Sequence, residues 1–331
     1  MDATQPTQRR SAAGTRTTAL VVLLLLCASV LVTACSGSST TASTSTSPSG
    51  VAASVAASPS ATPLPKGAGR GTIAFTRYLW EQGDAEVCVV NTDGTGLRRL
   101  AADARGPAWS PDGAKIAYTR FHGGGVWVMD ADGSGKRRVT PAPLGAEWVA
   151  WSPGGRQLLF TTTTFSSLAV VNTAGSGLKA VFTRASGDAG YSPAWAPDGR
   201  IFFGRGGRSR GEIRSVDRDG RGLTVVTATE TPPYFSLSPD GKWLAIWDRD
   251  SYDLVRKAAS GRGLAVVLVE EASLRPRLSS WSPDGSKLVL GNDSREWLSQ
   301  WSVLSVAKAD GSDVWEVPNT AGAYDPAWRP E

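Results

Sequence analysis

The sequence is poor in the residues on which most metal and catalytic sites depend. Its 331 residues include one histidine, His122, and three cysteines, Cys27, Cys35 and Cys88. A single imidazole excludes a site built from several histidines, and these cysteines form neither a CxxC pair nor a zinc cluster. Because the loop around His122 shows no partner for it, we do not expect this histidine to act as a general base. We therefore expect no metal and no cofactor.

A long membrane-spanning run is also missing, and a shorter apolar segment stands near the N-terminus. Three arginines precede the uncharged run 19–32, which is too short for a confident transmembrane helix. Val32-Thr33-Ala34-Cys35 follows it and resembles the bacterial lipobox, in which the cysteine is lipidated and becomes the mature N-terminus. We predict a lipoprotein signal peptide at residues 1–34. An ordinary secretory peptide beside an unmodified Cys35 is the alternative.

The segment after Cys35 lacks the apolar residues that a folded domain needs. Residues 36–66 are almost entirely Ser, Thr, Ala, Pro, Gly and Val, a composition that predicts a disordered tether. We expect a lipid-anchored tether over residues 35–70, followed by one domain over residues 71–331. The chain is then an exported, membrane-anchored lipoprotein on the extracytoplasmic side, at the cell surface or in the periplasm. Once Cys27 leaves and Cys35 is modified, Cys88 has no disulfide partner, and we expect it in the core.

The sequence is rich in tryptophan and glycine, with 13 tryptophans and 37 glycines, and this composition needs an explanation. The motif Trp-Ser-Pro-Asp-Gly and its variants recur six times at intervals of 42 to 47 residues. We name the first residue of each copy the anchor; the anchors are Trp109, Trp151, Trp195, Leu237, Trp281 and Trp328. A second series, with members such as NTDGTG at 91–96 and DADGSG at 130–135, falls between them. A repeat of this period indicates a propeller or a solenoid.

Each repeat contains four short apolar runs, which in the third repeat are 149–151, 158–161, 168–171 and 178–182. They are too short for helices and are bounded by turn residues. Pro, Asp and Gly of the first motif suit a type I turn between the first and second runs, and the second series suits the turn between the third and fourth. The sequence therefore predicts an all-β fold, a six-bladed β-propeller of four-stranded antiparallel blades.

Residues 107–119, PAWSPDGAKIAYT, and 126–133, VWVMDADG, resemble the WD40-like (PD40) repeat of the TolB-type β-propeller family. The resemblance extends over residues 71–331 and implies a domain of the kind that mediates periplasmic protein interactions. The last anchor is followed by only three residues, whereas residues 71–77, GTIAFTR, have the pattern of a second strand with no first strand before it. We therefore predict that the C-terminal strand joins the N-terminal blade and closes the ring.

Antiparallel order places both series of turns on one face of the propeller. The dissimilar loops and the starts of the inner strands therefore share the other face, which we name the loop face. Counting back from the anchors places a group of charged and aromatic residues at the mouth of the central channel on that face. This proposed site consists of Arg105, Glu147, Trp148, Tyr191, Tyr234, Arg277 and Tyr324, with Pro233 at the corresponding position of the fifth repeat. Alternatively, these residues are only the solvated starts of inner strands. The anchors themselves are expected to pack between blades.

The function that these features favour is non-catalytic binding of a protein, peptide or envelope polymer by a monomer. The alternative is a propeller enzyme or a small-ligand or sugar-binding protein that uses the channel. The Asp-Gly turns lack the downstream Glu of a calcium loop, and the net charge of +5 is too small to imply a strongly charged partner. The arginine-rich run 204–214 resembles a nucleic-acid segment, but we expect no nucleic-acid partner for an exported protein, and read 204–211 as a variable loop.

Overall fold

The computed structural model describes residues 71–79, 81–120, 122, 124–162, 167–183, 189–207, 210–229, 233–248, 251–270, 276–292 and 302–331. The predicted signal peptide, the predicted tether and the predicted lipidation site, Cys35, lie outside these residues. No helix among the described residues has the length and apolar character to cross a membrane.

The described chain forms six sheets of four antiparallel strands each, which we number as blades 1 to 6. Blade 1 consists of β24 (Ala323–Trp328), β1 (Thr72–Leu79), β2 (Asp84–Asn91) and β3 (Arg98–Ala102). Blade 2 consists of β4 (Ala104–Trp109), β5 (Lys115–Arg120), β6 (Val126–Asp130) and β7 (Arg137–Arg138). Blade 3 consists of β8 (Ala146–Trp151), β9 (Gln157–Thr162), β10 (Leu168–Asn172) and β11 (Lys179–Phe182).

The other three blades follow the same order from the inner to the outer strand. Blade 4 consists of β12 (Ala189–Trp195), β13 (Ile201–Gly207), β14 (Arg210–Val216) and β15 (Thr224–Thr229). Blade 5 consists of β16 (Tyr234–Leu237), β17 (Trp243–Trp247), β18 (Leu254–Ala258) and β19 (Val266–Val269). Blade 6 consists of β20 (Pro276–Trp281), β21 (Lys287–Asn292), β22 (Leu304–Lys308) and β23 (Trp315–Glu316).

The first strands of the blades contact one another in a closed circuit. The circuit runs from β24 to β4, β8, β12, β16 and β20 and returns to β24. Six inner strands in a ring enclose a central channel, so the prediction of an all-β, six-bladed propeller is confirmed.

The ring closes in blade 1, whose inner strand comes from the C-terminal end of the chain. β24 pairs antiparallel with β1, with Ile73 opposite Trp328 and Arg77 opposite Ala323. The amide of Arg329 extends this pairing by donating to the carbonyl of Thr72 at 2.9 Å. The predicted closure is therefore confirmed, and it joins strands separated by more than two hundred residues of sequence.

The three exact Ser-Pro-Asp-Gly turns, which begin at Ser110, Ser238 and Ser282, are held by the same side-chain hydrogen bonds. In blade 6, the Ser282 hydroxyl donates to Asp284 at 2.6 Å and accepts the amide of Lys287 at 2.8 Å. Hydrogen bonds from the hydroxyls of Ser282 and Ser286 lower the pKa of Asp284 to about 2. The Asp-Gly turns have comparable contacts, since Asp132 accepts the amide of Ser134 at 2.8 Å. These aspartates fold turns, as the sequence indicates.

The anchors pack into the blade that precedes their own. The Trp151 indole of blade 3 lies in a buried cluster with Ala117 and Val128 of blade 2, and its Nε1 donates to the carbonyl of Ala108 at 3.0 Å. Trp328 of blade 1 lies likewise against Val289 and other buried residues of blade 6. Each such indole buries apolar surface between two sheets and so joins adjacent blades.

Two expectations about single segments have different outcomes. Cys88 is fully buried, as expected, and burial raises the pKa of its thiol to about 12. The prediction of a variable loop over residues 204–211 is wrong. β13 and β14 continue into this segment, with Gly204 opposite Ile213 and Gly207 opposite Arg210. Gly206 pairs with Gly211 here, and glycine allows the close approach of two strands.

We predict that deleting residues 324–331 abolishes the cooperative thermal transition of the domain, because blade 1 then loses its inner strand and the ring opens. Circular dichroism or scanning calorimetry measures this. The matched control removes only Pro330 and Glu331, which follow β24, and should melt close to the wild type. A deletion variant that melts like this control would contradict closure by β24.

Candidate functional site

Four of the six inner strands have a bulge three residues before the anchor, at the end that opens onto the loop face. Gly106, Trp148, Ser192 and Asp325 occupy this position and have φ between +39° and +58°. The pairing with the second strand shifts register at the same place in blades 1, 2, 3 and 4. Blade 5 has no such shift, and there the position is Tyr234. Three of these residues are not glycine, and such strained backbone is concentrated at functional sites.

On one side of the channel mouth, the bulges bring charged side chains of adjacent blades together. Arg105 Nη2 of blade 2 lies 3.3 Å from Glu147 Oε1 of blade 3. Both side chains are about one third exposed, at 30% and 34%. The pair is therefore within reach of a ligand, and each partner keeps surface available for a group of opposite charge.

The charged side continues into the closing blade. Burial raises the pKa of the Tyr324 phenol well above its usual value. The Asp325 carboxylate also raises this pKa, and the Arg105 guanidinium lowers it. The fully buried Thr76 hydroxyl accepts the amide of Gly106 at 2.9 Å and lies 3.5 Å from Asp325 Oδ2. Thr76 thus joins the bulges of blades 1 and 2 and fixes their relative position at the mouth.

At the same mouth, four aromatic rings from blades 3 and 5 form a continuous row. The Trp148 ring of blade 3 lies 6.3 Å from that of Tyr234 of blade 5, measured between centroids. Tyr234 is followed by Trp247 at 5.9 Å and Trp247 by Tyr252 at 6.0 Å. Blade 4 lies between blades 3 and 5, so Trp148 reaches over the channel to join the row. Tyr252, at the outer end, is 40% exposed.

The structure places the predicted site residues unequally. Arg105, Glu147 and Tyr324 lie together, and Trp148 packs on Tyr234. Tyr191 and Arg277 are in β12 and β20 as counted from their anchors, but their side chains lie outside the described part of the structure. Pro233 is buried ahead of β16 and adds no exposed group to the mouth. The proposed site did not include Trp247, the last residue of β17, or Tyr252, which lies between β17 and β18.

The expectation that His122 is isolated is wrong. Its Nδ1 lies 3.1 Å from Asp103 Oδ1, and Asp84 Oδ1 is 4.0 Å away. Asp103 belongs to the connection between blades 1 and 2, and Asp84 begins β2, so no local motif announces the group. Among the described residues, Asp84, Asp103 and His122 are the set with the donors and spacing to hold a metal ion.

The mouth has the physical properties of a recognition surface. Indole and phenol rings provide large, rigid apolar contact area with polar edges, and an exposed guanidinium binds carboxylates in a defined orientation. The two kinds of group face one opening, with aromatics from blades 3 and 5 and charges from blades 1, 2 and 3. A ligand in the opening can contact both.

Comparisons with known proteins agree with this architecture. TolB from Acinetobacter baumannii superposes with a TM-score of 0.67 and 22% identity, covering 79% of this chain and 67% of the other. A putative TolB from Agrobacterium tumefaciens superposes with a TM-score of 0.61 and 17% identity, and the match covers 78% of this chain and 92% of the other. A chain of a nidogen/laminin complex superposes with a TM-score of 0.64 and 12% identity, and the match covers 78% of this chain and 98% of the other. At these identities the likeness shows the fold alone.

No curated protein matches the chain. The family model described as the TolB beta propeller domain, PD40, matches residues 66–331, well over half of the sequence. The match includes all six blades and the strand that closes the ring. The chain therefore belongs to the TolB β-propeller family.

Proposed function

We propose that this chain is a lipid-anchored, extracytoplasmic binding protein whose propeller holds a peptide or protein segment at the mouth of its channel without catalysing a reaction. The observation that carries the proposal is the mouth itself, where the aromatic row from Trp148 to Tyr252 and the Arg105–Glu147 pair lie at the same end of the channel. The propeller fold of the TolB family is consistent with an interaction module, and fold alone does not identify a function.

The chemistry of the mouth favours a peptide over a small polar metabolite. The aromatic rings are tilted against one another by 59°, 49° and 66°, so they form a corrugated surface and not a flat platform. Such a surface accepts apolar side chains in its recesses, while Arg105 and Glu147 can exchange their mutual contact for a carboxylate and an amine of the ligand. Tyrosine and tryptophan are enriched among residues that dominate binding energies.

The alternative is an enzyme or small-ligand binder that works in the channel, and one observation favours it. The contact between His122 Nδ1 and Asp103 Oδ1 has the form of a carboxylate-oriented histidine, a common general base. The imidazole is on the rim, 69% exposed, and is therefore in contact with solvent, whereas the aromatic row lies over the channel. Turnover of a candidate substrate that is lost in H122A would favour this alternative.

For the binding site, we predict that replacing Trp148 and Tyr234 together by alanine lowers the affinity for the envelope partner by at least about tenfold, because aromatic anchors at an interface often contribute more than 1 kcal/mol each. The partner is first captured from envelope extracts and identified. Its binding to the wild type and the variant is then compared by calorimetry.

The matched control is W243A. Trp243 is 39% exposed, comparable with Tyr252, but it begins β17 directly after a Ser-Pro-Asp-Gly turn and therefore lies on the other face. We expect W243A to bind as tightly as the wild type. Loss of binding in W243A, with binding retained in the double variant, would place the interface on the wrong face for this proposal.

For the anchor, we predict that C35A prevents lipidation and cleavage, because the modified thiol is absent. The wild type should partition into the membrane fraction, and mass spectrometry of its N-terminal peptide should show acyl chains on Cys35. The variant should retain residues 1–34 and carry no acyl group. Acylation that persists in C35A, or a wild-type N-terminus other than Cys35, would contradict the lipoprotein assignment.

A further inference from the structure

Three segments from two adjacent blades bring metal-binding donors together on the rim of the channel mouth. Asp84 is the first residue of β2, Asp103 stands between β3 and β4, and His122 follows β5. One donor atom from each, a carboxylate oxygen or an imidazole nitrogen, lies within 4.8 Å of the other two. The group shares no residue with the aromatic row or with the Arg105–Glu147 pair, although Asp84, like Arg105, acts electrostatically on the Tyr324 phenol.

The spacing matches the coordination shell of a small divalent metal. With metal–ligand bonds of about 2.0–2.2 Å, neighbouring ligands in an octahedral shell are about 3 Å apart and opposite ligands about 4.2 Å apart. His122 Nδ1 lies 3.1 Å from Asp103 Oδ1 and 4.0 Å from Asp84 Oδ1. The first separation is that of neighbouring ligands and the second is close to that of opposite ligands. Asp84 and Asp103 would then be neighbouring ligands, so their oxygens, which lie within 4.8 Å of each other, approach to about 3 Å when the ion binds.

The carboxylates are already oriented by their other contacts. The amide of Ala85 donates to Asp84 Oδ1 at 2.7 Å, and the amide of His122 donates to Asp103 Oδ1 at 2.6 Å. Arg120 Nε donates to the other oxygen, Asp103 Oδ2, at 3.0 Å, which turns Oδ1 toward the imidazole. Contacts of this kind, one shell outside the ligands, hold ligands in place at metal sites. Two carboxylates and one guanidinium leave a net local charge of −1, which favours a cation.

We propose that Asp84, Asp103 and His122 bind one divalent transition-metal ion, of the class of Zn²⁺ or Mn²⁺, between blades 1 and 2. An imidazole nitrogen with two carboxylate oxygens suits these ions better than Ca²⁺, which takes six to eight oxygen ligands. Three protein ligands leave further coordination positions for water or for a donor group of a bound molecule. The ion also joins the blade that closes the ring to its neighbour, so it stabilises the fold.

The test uses the single histidine of the chain as a direct reporter. The full chain, free of any histidine tag and labelled with ¹⁵N, is titrated with Zn²⁺, and the imidazole nitrogens are followed by long-range ¹H–¹⁵N correlation. We expect the one imidazole spin system to shift in a saturable manner at one equivalent, with Nδ1 the more strongly affected nitrogen. Zinc bound by cysteines elsewhere in the chain does not produce this signal.

Calorimetry and thermal melts then compare the variants. D103N preserves the shape of the side chain, and asparagine tolerates the φ of +50° at this position. We expect D103N and H122A to bind Zn²⁺ at least about tenfold more weakly at this site and to lose the metal-dependent rise in melting temperature. D132N, which removes an exposed carboxylate of an Asp-Gly turn, is the control and should behave as the wild type.

Three results would overturn the proposal. They are an imidazole signal that does not respond to millimolar Zn²⁺ or Mn²⁺, an affinity for Zn²⁺ unchanged in H122A, and tighter binding of Ca²⁺ than of Zn²⁺ at His122. Because none of these measurements involves a protein or peptide partner, failure here leaves the proposed binding function standing, and failure of that function leaves the metal site standing.

Discussion

The pairing of β24 with β1 is the interaction on which the rest of the molecule depends. It joins the two ends of the propeller in one sheet, with Ile73 opposite Trp328. Without it, blade 1 lacks an inner strand, the contacts of β24 with β4 and β20 are lost, and the channel has no continuous wall. The same strand carries Tyr324 and Asp325, so the closure of the ring also completes the charged side of the mouth.

The second constraint is the bulge that recurs in the inner strands. A regular strand alternates its side chains between two faces, and a bulge redirects one of them. At the mouth, it brings Arg105 next to Glu147, and Trp148 reaches over the channel toward blade 5. Trp148 and Asp325 adopt positive φ at a cost in conformational energy, which the surrounding sheets offset. The bulges thus strain the backbone locally, and they bring groups from several blades together at the mouth.

The period of the sequence was sufficient to predict the strands, the blades and the closure, because each repeat carries its own turn residues and apolar runs. The features that could not be predicted depend on contacts between distant repeats. The bulge has only Gly106 as a local signal, and tryptophan, serine or aspartate takes its place in other blades. The pairing of His122 with Asp103 spans 19 residues and two blades, and the row from Trp148 to Tyr252 joins blades 3 and 5. The arginine-rich hairpin was mistaken for a loop because its glycines also suit turns.

The central claim, that the loop face of the channel binds the partner, is tested most directly by site-specific photo-cross-linking. A benzophenone side chain is introduced at Tyr252, on the loop face, and separately at Trp243, on the face of the turns; the two native residues are 40% and 39% exposed. Because exposure is matched, any difference in cross-linking reports on position. The account predicts that the partner is captured from position 252 and not from position 243. Capture from position 243 alone would contradict it.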